Sequence, residues 1–273
     1  MCFRKVFYLF TVGGIPAVFA QDGPHVAIEQ ARSAVEAAVD ARSHAQVYFD
    51  LSNAWIKAGS SDSAFAAADR AVSFASGDSV MAECLLQRAL ASDWDSRYAT
   101  GLDDAQKAIH IAQRIGSARL ELAGLFRCQS IHLNLQHFVR SREYGDRWLA
   151  KAAGDPDPDL LKKVLNNKAG AFYQEGRLDS AEAVYRRALL GLDPEDRVWR
   201  NLTMVNLSNL LSDRGEYDRA LAMTDSAAAV LQDDSPTNHF GLLTTKGYIL
   251  FNAGRYKESI AAYDSAEVIN QAS

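Results

Sequence analysis

Residues 174–189 read QEGRLDSAEAVYRRAL, with Leu178 two residues after Gly176, Ala181 five after, Tyr185 nine after and Ala188 twelve after. The same offsets return from Gly215 as Tyr217, Ala220, Thr224 and Ala227. They return again from Gly254 as Tyr256, Ser259, Tyr263 and Ala266. The three glycines are evenly spaced, 39 residues apart. A small residue recurring at one place in such a period marks the point where two helix backbones come closest. The larger residue four positions on fills the wider gap beyond it.

Each window predicts two helices. Ahead of the glycine, Leu165, Ala169 and Phe172 in one window and Met204, Leu207 and Leu211 in the next recur at helical spacing. The glycine lets the chain leave the first helix with positive φ. Asp179 or Asp218 then opens the second helix, where a carboxylate suits the unpaired N–H groups.

Working backwards, Phe138 and Ser141 stand two and five after Gln136, which takes the glycine's place. Gly59 is followed by Ala64, Ala68 and Ala71 at the later offsets. Between them, GLDDAQKAIHIAQ gives Ala105, Ile109 and Ala112, after a first helix predicted over residues 80–92. The five-after positions then read 64, 105, 141, 181, 220 and 259. Ala27, Ala31 and Ala34 predict a helix within residues 24–42 that covers the N-terminal end of an array over residues 44–273. No strand-like alternation interrupts the series, and AGDPDPD and DDSPT read as turns between units. A calcium loop is not matched by the first of these.

The chain is 48% hydrophobic and 23% charged, with a formal charge of −5 and no Lys/Arg-rich block. That balance suits a folded protein and argues against nucleic acid as partner. Residues 1–20, MCFRKVFYLFTVGGIPAVFA, differ from the rest. Arg4 and Lys5 precede a short apolar run that ends at Ala20, the form of a secretory signal peptide. An uncleaved anchor is the competing reading, and the run is short for a membrane span. No later stretch is apolar enough to span a bilayer, so the expectation is an exported protein, periplasmic or secreted. Cys2 leaves with the signal. Cys84 and Cys128 remain, either paired or as two buried thiols.

The Gly/Ala/Tyr/Ala sets at Gly176, Ala181, Tyr185, Ala188 and at Gly254, Ser259, Tyr263, Ala266 resemble the tetratricopeptide repeat (TPR) family. The resemblance spans about residues 44–271 as some six degenerate repeats, strongest after residue 160. The family period is 34 residues, so the helices or turns here are expected to be longer. The resemblance implies an all-α fold, a right-handed superhelical solenoid of antiparallel helix pairs with the first helices on the concave face. It also implies a protein or peptide ligand held in that groove.

Groove-facing positions in the family lie nine and six residues before the glycine. Carried over, the first set is Asp50, Arg127, Asn167, Asn206 and Thr245, and the second is Asn53, Ser130, Gly170, Asn209 and Tyr248. An asparagine donates to and accepts from a peptide backbone at once. The candidate groove is therefore Arg127, Asn134, Lys163, Asn166, Asn167, Tyr173, Asn206, Asn209, Thr245 and Tyr248. Arg127 and Lys163 suit a carboxylate, and Tyr173 and Phe251 suit covering side chains. A merely solvated polar face is the competing reading.

Motifs for catalysis are absent. There is no His-Glu-x-x-His, phosphate-loop glycine pattern, Gly-x-Ser-x-Gly or Cys-x-x-Cys. His132 and His137 are five apart and do not share a helix face well. No cofactor is expected and no enzyme activity. The alternative to an interaction scaffold is an extracytoplasmic sensing or regulatory region of a signalling system without its output domain. The final helix carries Ile260, Tyr263 and Ile269 with nothing predicted to cover them, so self-association through the C-terminal helix is also expected.

Overall fold

The computed structural model describes residues 24–154, 156–231 and 236–272. The signal-peptide reading of residues 1–20, including Cys2, lies outside the described residues. Those described form thirteen α-helices and no strand: α1 (Pro24–Ala37), α2 (Ala41–Lys57), α3 (Ser61–Phe74), α4 (Asp78–Trp94), α5 (Tyr98–Ile115), α6 (Ala118–Asn134), α7 (Phe138–Lys151), α8 (Pro158–Gln174), α9 (Leu178–Gly191), α10 (Arg197–Asp213), α11 (Tyr217–Leu231), α12 (Pro236–Asn252) and α13 (Tyr256–Ala272). The fold is all-α and TPR-like. It divides into two compact units, residues 1–160 and 161–273.

Pairs of helices are made by one recurring turn. At its centre the backbone is left-handed at Gly59, Ser96, Gln136, Gly176, Gly215 and Gly254, with φ between 57° and 83°. Each central N–H reaches back three residues, as Gly176 N–H does to the Tyr173 carbonyl at 2.9 Å. The next N–H reaches back five, as Arg177 does to Phe172 at 2.9 Å. This is the Schellman arrangement, and it satisfies the last carbonyls of the first helix. The residue after the left-handed one then caps the second helix, its carbonyl accepting from the N–H four residues on. Ala181 N–H to Arg177 at 3.0 Å is one case. A three-residue connection of this kind folds the two helices back antiparallel.

Ser96 corrects the register expected between residues 80 and 115. Its φ of 57° gives it the glycine's role, so Tyr98, Gly101, Ala105 and Ala108 occupy the two-, five-, nine- and twelve-after offsets. The five-after residue is Gly101, not Ala105. A Cβ built on Gly101 would lie 2.9 Å from Ile131 Cδ1, 3.2 Å from Ser92 Cβ and 3.3 Å from the Ala89 carbonyl oxygen, so this is the closest approach of its hairpin. The first helix there is α4, Asp78–Trp94, longer at both ends than expected.

At the other five-after positions the partner lies twelve residues back on the first helix. Ser141 Oγ donates to the Gln129 carbonyl at 3.0 Å, and Ser259 Oγ to the Gly247 carbonyl at 2.8 Å. Where the five-after residue is alanine, as at Ala64, the hydroxyl comes from the other side: Ser52 Oγ donates to the Ala64 carbonyl at 2.9 Å. Only Gly, Ala or Ser fits such an approach. The longer period has a simple source, since each of the six first helices from α2 to α12 is 17 residues long.

In the first unit α1 lies on α2 and α3. Ile28 is buried with Leu51, Ala54 and Ala67, and Ala31 and Val35 pack beside it. Ala27 is exposed, so the contact face expected through Ala27, Ala31 and Ala34 is rotated to Ile28, Ala31 and Val35. In the second unit Ala169, Ala181, Tyr185, Leu207, Leu210, Leu211, Ala220 and Ile249 form one buried cluster. Cys84 on α4 and Cys128 on α6 are both buried and free. Burial pushes each thiol up to about 11, so neither supplies thiolate at neutral pH.

Candidate partner-binding site

The polar residues expected to line an open groove sit on the first helices, but several are enclosed. Asn166, Asn167, Asn206 and Thr245 are each 8% exposed or less. Arg127, Asn134, Lys163, Tyr173, Asn209 and Tyr248 are half-buried. The solvent-open ladder of amides read from sequence is therefore largely closed, because 17-residue helices stacked side by side bring these positions into contact with one another.

In the first unit Gln87 of α4 donates through Nε2 to Ser52 Oγ and Asn53 Oδ1 of α2, both at 3.0 Å. Asp93 of α4 accepts from Ser130 Oγ at 3.0 Å and Asn134 Nδ2 at 2.7 Å, both on α6. Burial raises the Asp93 carboxyl above the usual carboxylate range, against the pull of Asn134 and the Arg127 charge. Arg127 on α6 has a fully enclosed Nε with no hydrogen-bond partner. Its guanidinium lies 5.4 Å from the Phe126 ring, and burial lowers its pKa while the Asp93 charge opposes the shift.

In the second unit Asn206 Nδ2 of α10 donates to Asn166 Oδ1 of α8 at 3.0 Å. Asp213, near the end of α10, is held from both sides. Tyr173 of α8 and Tyr248 of α12 each donate a phenolic hydrogen to it at 2.7 Å. Burial, with Asp213 beside them, pushes both phenols up, so they remain donors at any physiological pH. Asn252 Nδ2 of α12 donates to Ser212 Oγ of α10 at 3.1 Å. Asn167 stands apart. It is 1% exposed, and neither its amide nitrogen nor its amide oxygen has a partner.

Six residues of this network were missed from sequence: Ser52, Gln87, Asp93, Ser212, Asp213 and Asn252. Gln87 occupies the nine-before position once Ser96 replaces a glycine as anchor. Asp93 and Asp213 lie three and two residues before their left-handed turns, outside the positions carried over. No cluster of three His, Cys, Asp or Glu that would hold a metal occurs among the described residues, and no helix among them is long and apolar enough to cross a membrane. His132 and His137 come closer than their spacing suggested, with ring centroids 5.7 Å apart, because the turn at Gln136 folds the chain back. His132 also stacks on Tyr144 at 5.4 Å.

A search of curated proteins found no match. The family model described as tetratricopeptide repeat matches residues 20–79 and 162–197. Among solved structures, the chain is similar to a Rap protein complexed with competence and sporulation factor, at 13% identity and TM-score 0.67, covering 89% of this chain and 79% of that one. It is similar to a tetratricopeptide repeat protein from Parabacteroides merdae, at 13% identity and TM-score 0.65, covering 90% and 86%. It is also similar to NprR in complex with its cognate peptide NprX, at 13% identity and TM-score 0.63, covering 87% and 70%. The chain thus carries two stretches that match the tetratricopeptide repeat model, within a fold shared with solved structures of that kind.

Proposed function

We propose that this protein is an exported interaction scaffold that takes an extended peptide, or a peptide-like segment of a partner protein, against the first helices of its second unit. The observation that carries the reading is Asn167. A buried amide with both atoms unpaired costs about 1–3 kcal/mol, and a peptide backbone, admitted by a local opening of the helices that enclose Asn167, supplies the missing acceptor and donor together. Asn209, Thr245 and Lys163 lie on the same three first helices and present further polar groups to such a chain. Two proteins of similar fold are described in complex with a factor or a cognate peptide, which supports the class of ligand. Export rests on Arg4, Lys5 and the apolar run before Gln21.

The binding test is a display library of random peptides panned on the purified protein. Enriched peptides are expected to bind Asn167→Ala at least about tenfold more weakly, a loss of about 1.4 kcal/mol. Equal affinity for the variant would end the reading. For export, a reporter active only outside the cytoplasm is fused after residue 40. It is expected to be active, and to fall silent when Arg4 and Lys5 are replaced by glutamate. A silent fusion of the unaltered leader, with the fused protein present in the cytoplasm, would refute export.

A further inference from the structure

The outer face of α12 and α13 is built like an internal repeat face and is left uncovered by the described residues. In the second unit the nine-after residues Tyr185 and Thr224 are 0% and 2% exposed, whereas Tyr263 at the same position is 40% exposed. The two-after residues Leu178 and Tyr217 are half-buried, but Tyr256 is 59% exposed. The six-after residue Leu221 is half-buried, but Ile260 is 60% exposed. Phe251 on α12, 56% exposed, meets Tyr256 edge-on at 5.6 Å and extends the patch. Tyr263 is packed from beneath. The Tyr263 ring lies flat on Gly247, where a Cβ would come within 2.9 Å of it.

We propose that this face binds a second copy of the chain, with α13 packed antiparallel against the other copy's α13. The inference is independent of the groove. Two observations choose the occupant. First, a head-to-tail contact would need an open first-helix face at the N-terminal end, and α1 already lies there with Ile28 buried on α2 and α3. The remaining symmetric solution is the same face on both copies. Second, the face is self-complementary in charge. Lys257 and Asp264 are exposed, take part in no ion pair within the described chain, and stand two turns apart on the edge beside Ile260. In an antiparallel pair centred between Ile260 and Ala261, each Lys257 stands opposite the second copy's Asp264. The two ion pairs then flank a centre of Ile260 from both copies, with Tyr263 between them and Tyr256 just outside.

The test is light scattering and sedimentation equilibrium on the purified full chain over a wide concentration range. A reversible dimer is expected. Ile260→Asp, at an exposed position that leaves the core untouched, is expected to weaken it at least tenfold. Lys257→Asp and Asp264→Lys singly are each expected to weaken it at low salt. The double variant, which restores opposite charges across the pair, is expected to return to within a few-fold of the parent. Helix content by circular dichroism is the folding control for all four. A monomer at every concentration overturns the proposal and leaves the face to another protein. So does a dimer indifferent to Ile260→Asp, or a double variant no better than the singles.

Discussion

Asn166 and Asn167 are neighbours on α8, equally buried, and should respond to leucine with opposite sign. Asn167 has no partner for either amide atom. Replacing it with leucine, of similar volume, removes a desolvation penalty of about 1–3 kcal/mol and adds apolar contact. For a protein of this size that is a rise in melting midpoint of roughly 2–10 °C. Asn166 accepts from Asn206 at 3.0 Å. Leucine there strands the buried Asn206 amide, and the expected loss is about 1–3 kcal/mol. The assay is thermal and urea unfolding followed by circular dichroism, with both variants and the parent in one buffer. The same Asn167→Leu protein, more stable than the parent, is expected to have lost peptide capture, the trade-off expected where a binding group is kept at the expense of stability. If Asn167→Leu lowers the midpoint as Asn166→Leu does, Asn167 is satisfied by bound water, and the argument that it waits for a ligand fails.

Other consequences follow from the turns and the buried charges. Ser96→Gly and Gln136→Gly relieve side chains held at positive φ, and each is expected to add about 0.5–1 kcal/mol once glycine's greater freedom in the unfolded chain is subtracted; an unchanged or lower urea midpoint would contradict this. Arg88 holds the fully buried Asp104 through two hydrogen bonds of 2.8 and 2.9 Å, so Arg88→Met is expected to cost about 3–5 kcal/mol and Arg88→Met/Asp104→Leu to recover most of it, both read from urea melts. His132 has its pKa lowered by burial, with His137 and Arg140 adding to the shift and Glu143 opposing it. The unfolded chain then binds the extra proton first, so this contribution is whole above the ordinary histidine pKa of about 6.5 and is lost as pH falls from there towards the folded value. His132→Phe, which keeps the stack on Tyr144, is expected to flatten the fall in melting midpoint below pH 6.5, and an unchanged slope would place the effect elsewhere.

The repeat was legible because its constraint is steric and acts at fixed offsets. Ala181, Ala220 and Ser259 show it directly, and the structure places each against the facing helix. The register failed at one place, where Ser96 adopts the left-handed turn that glycine adopts elsewhere. Tyr98, Gly101, Ala105 and Ala108 carry the correct offsets, but they are visible only to a search that does not demand glycine as anchor. The face of α1 was misjudged because alanine spacing alone does not say which side is buried, and Ile28 settles it. The candidate site was legible as a set of polar positions but not as a set of contacts. Asn206 meets Asn166, and Tyr173 and Tyr248 meet Asp213, across separations of 35 to 40 residues. One period of the repeat separates such partners, and which amide finds a partner depends on side-chain geometry that spacing does not contain.

That period gives the paired residues their meaning. The bonds from Gln87 to Asn53, Asn134 to Asp93, Asn206 to Asn166 and Asn252 to Ser212 all join one first helix to the next within a unit. Stability in a repeat array is carried largely by such neighbour terms. Apolar contacts between helices tolerate a slip of register, while a buried amide that loses its partner does not. These bonds therefore fix how one repeat sits on the next. Asn167 and the enclosed Nε of Arg127 contribute no such bond. They carry the cost of burial without adding to register, and an apolar side chain would pack there more favourably. On the proposed reading such a group is kept for a ligand, which is why Asn167, and not the better-connected Asn206, is the residue on which the binding argument rests.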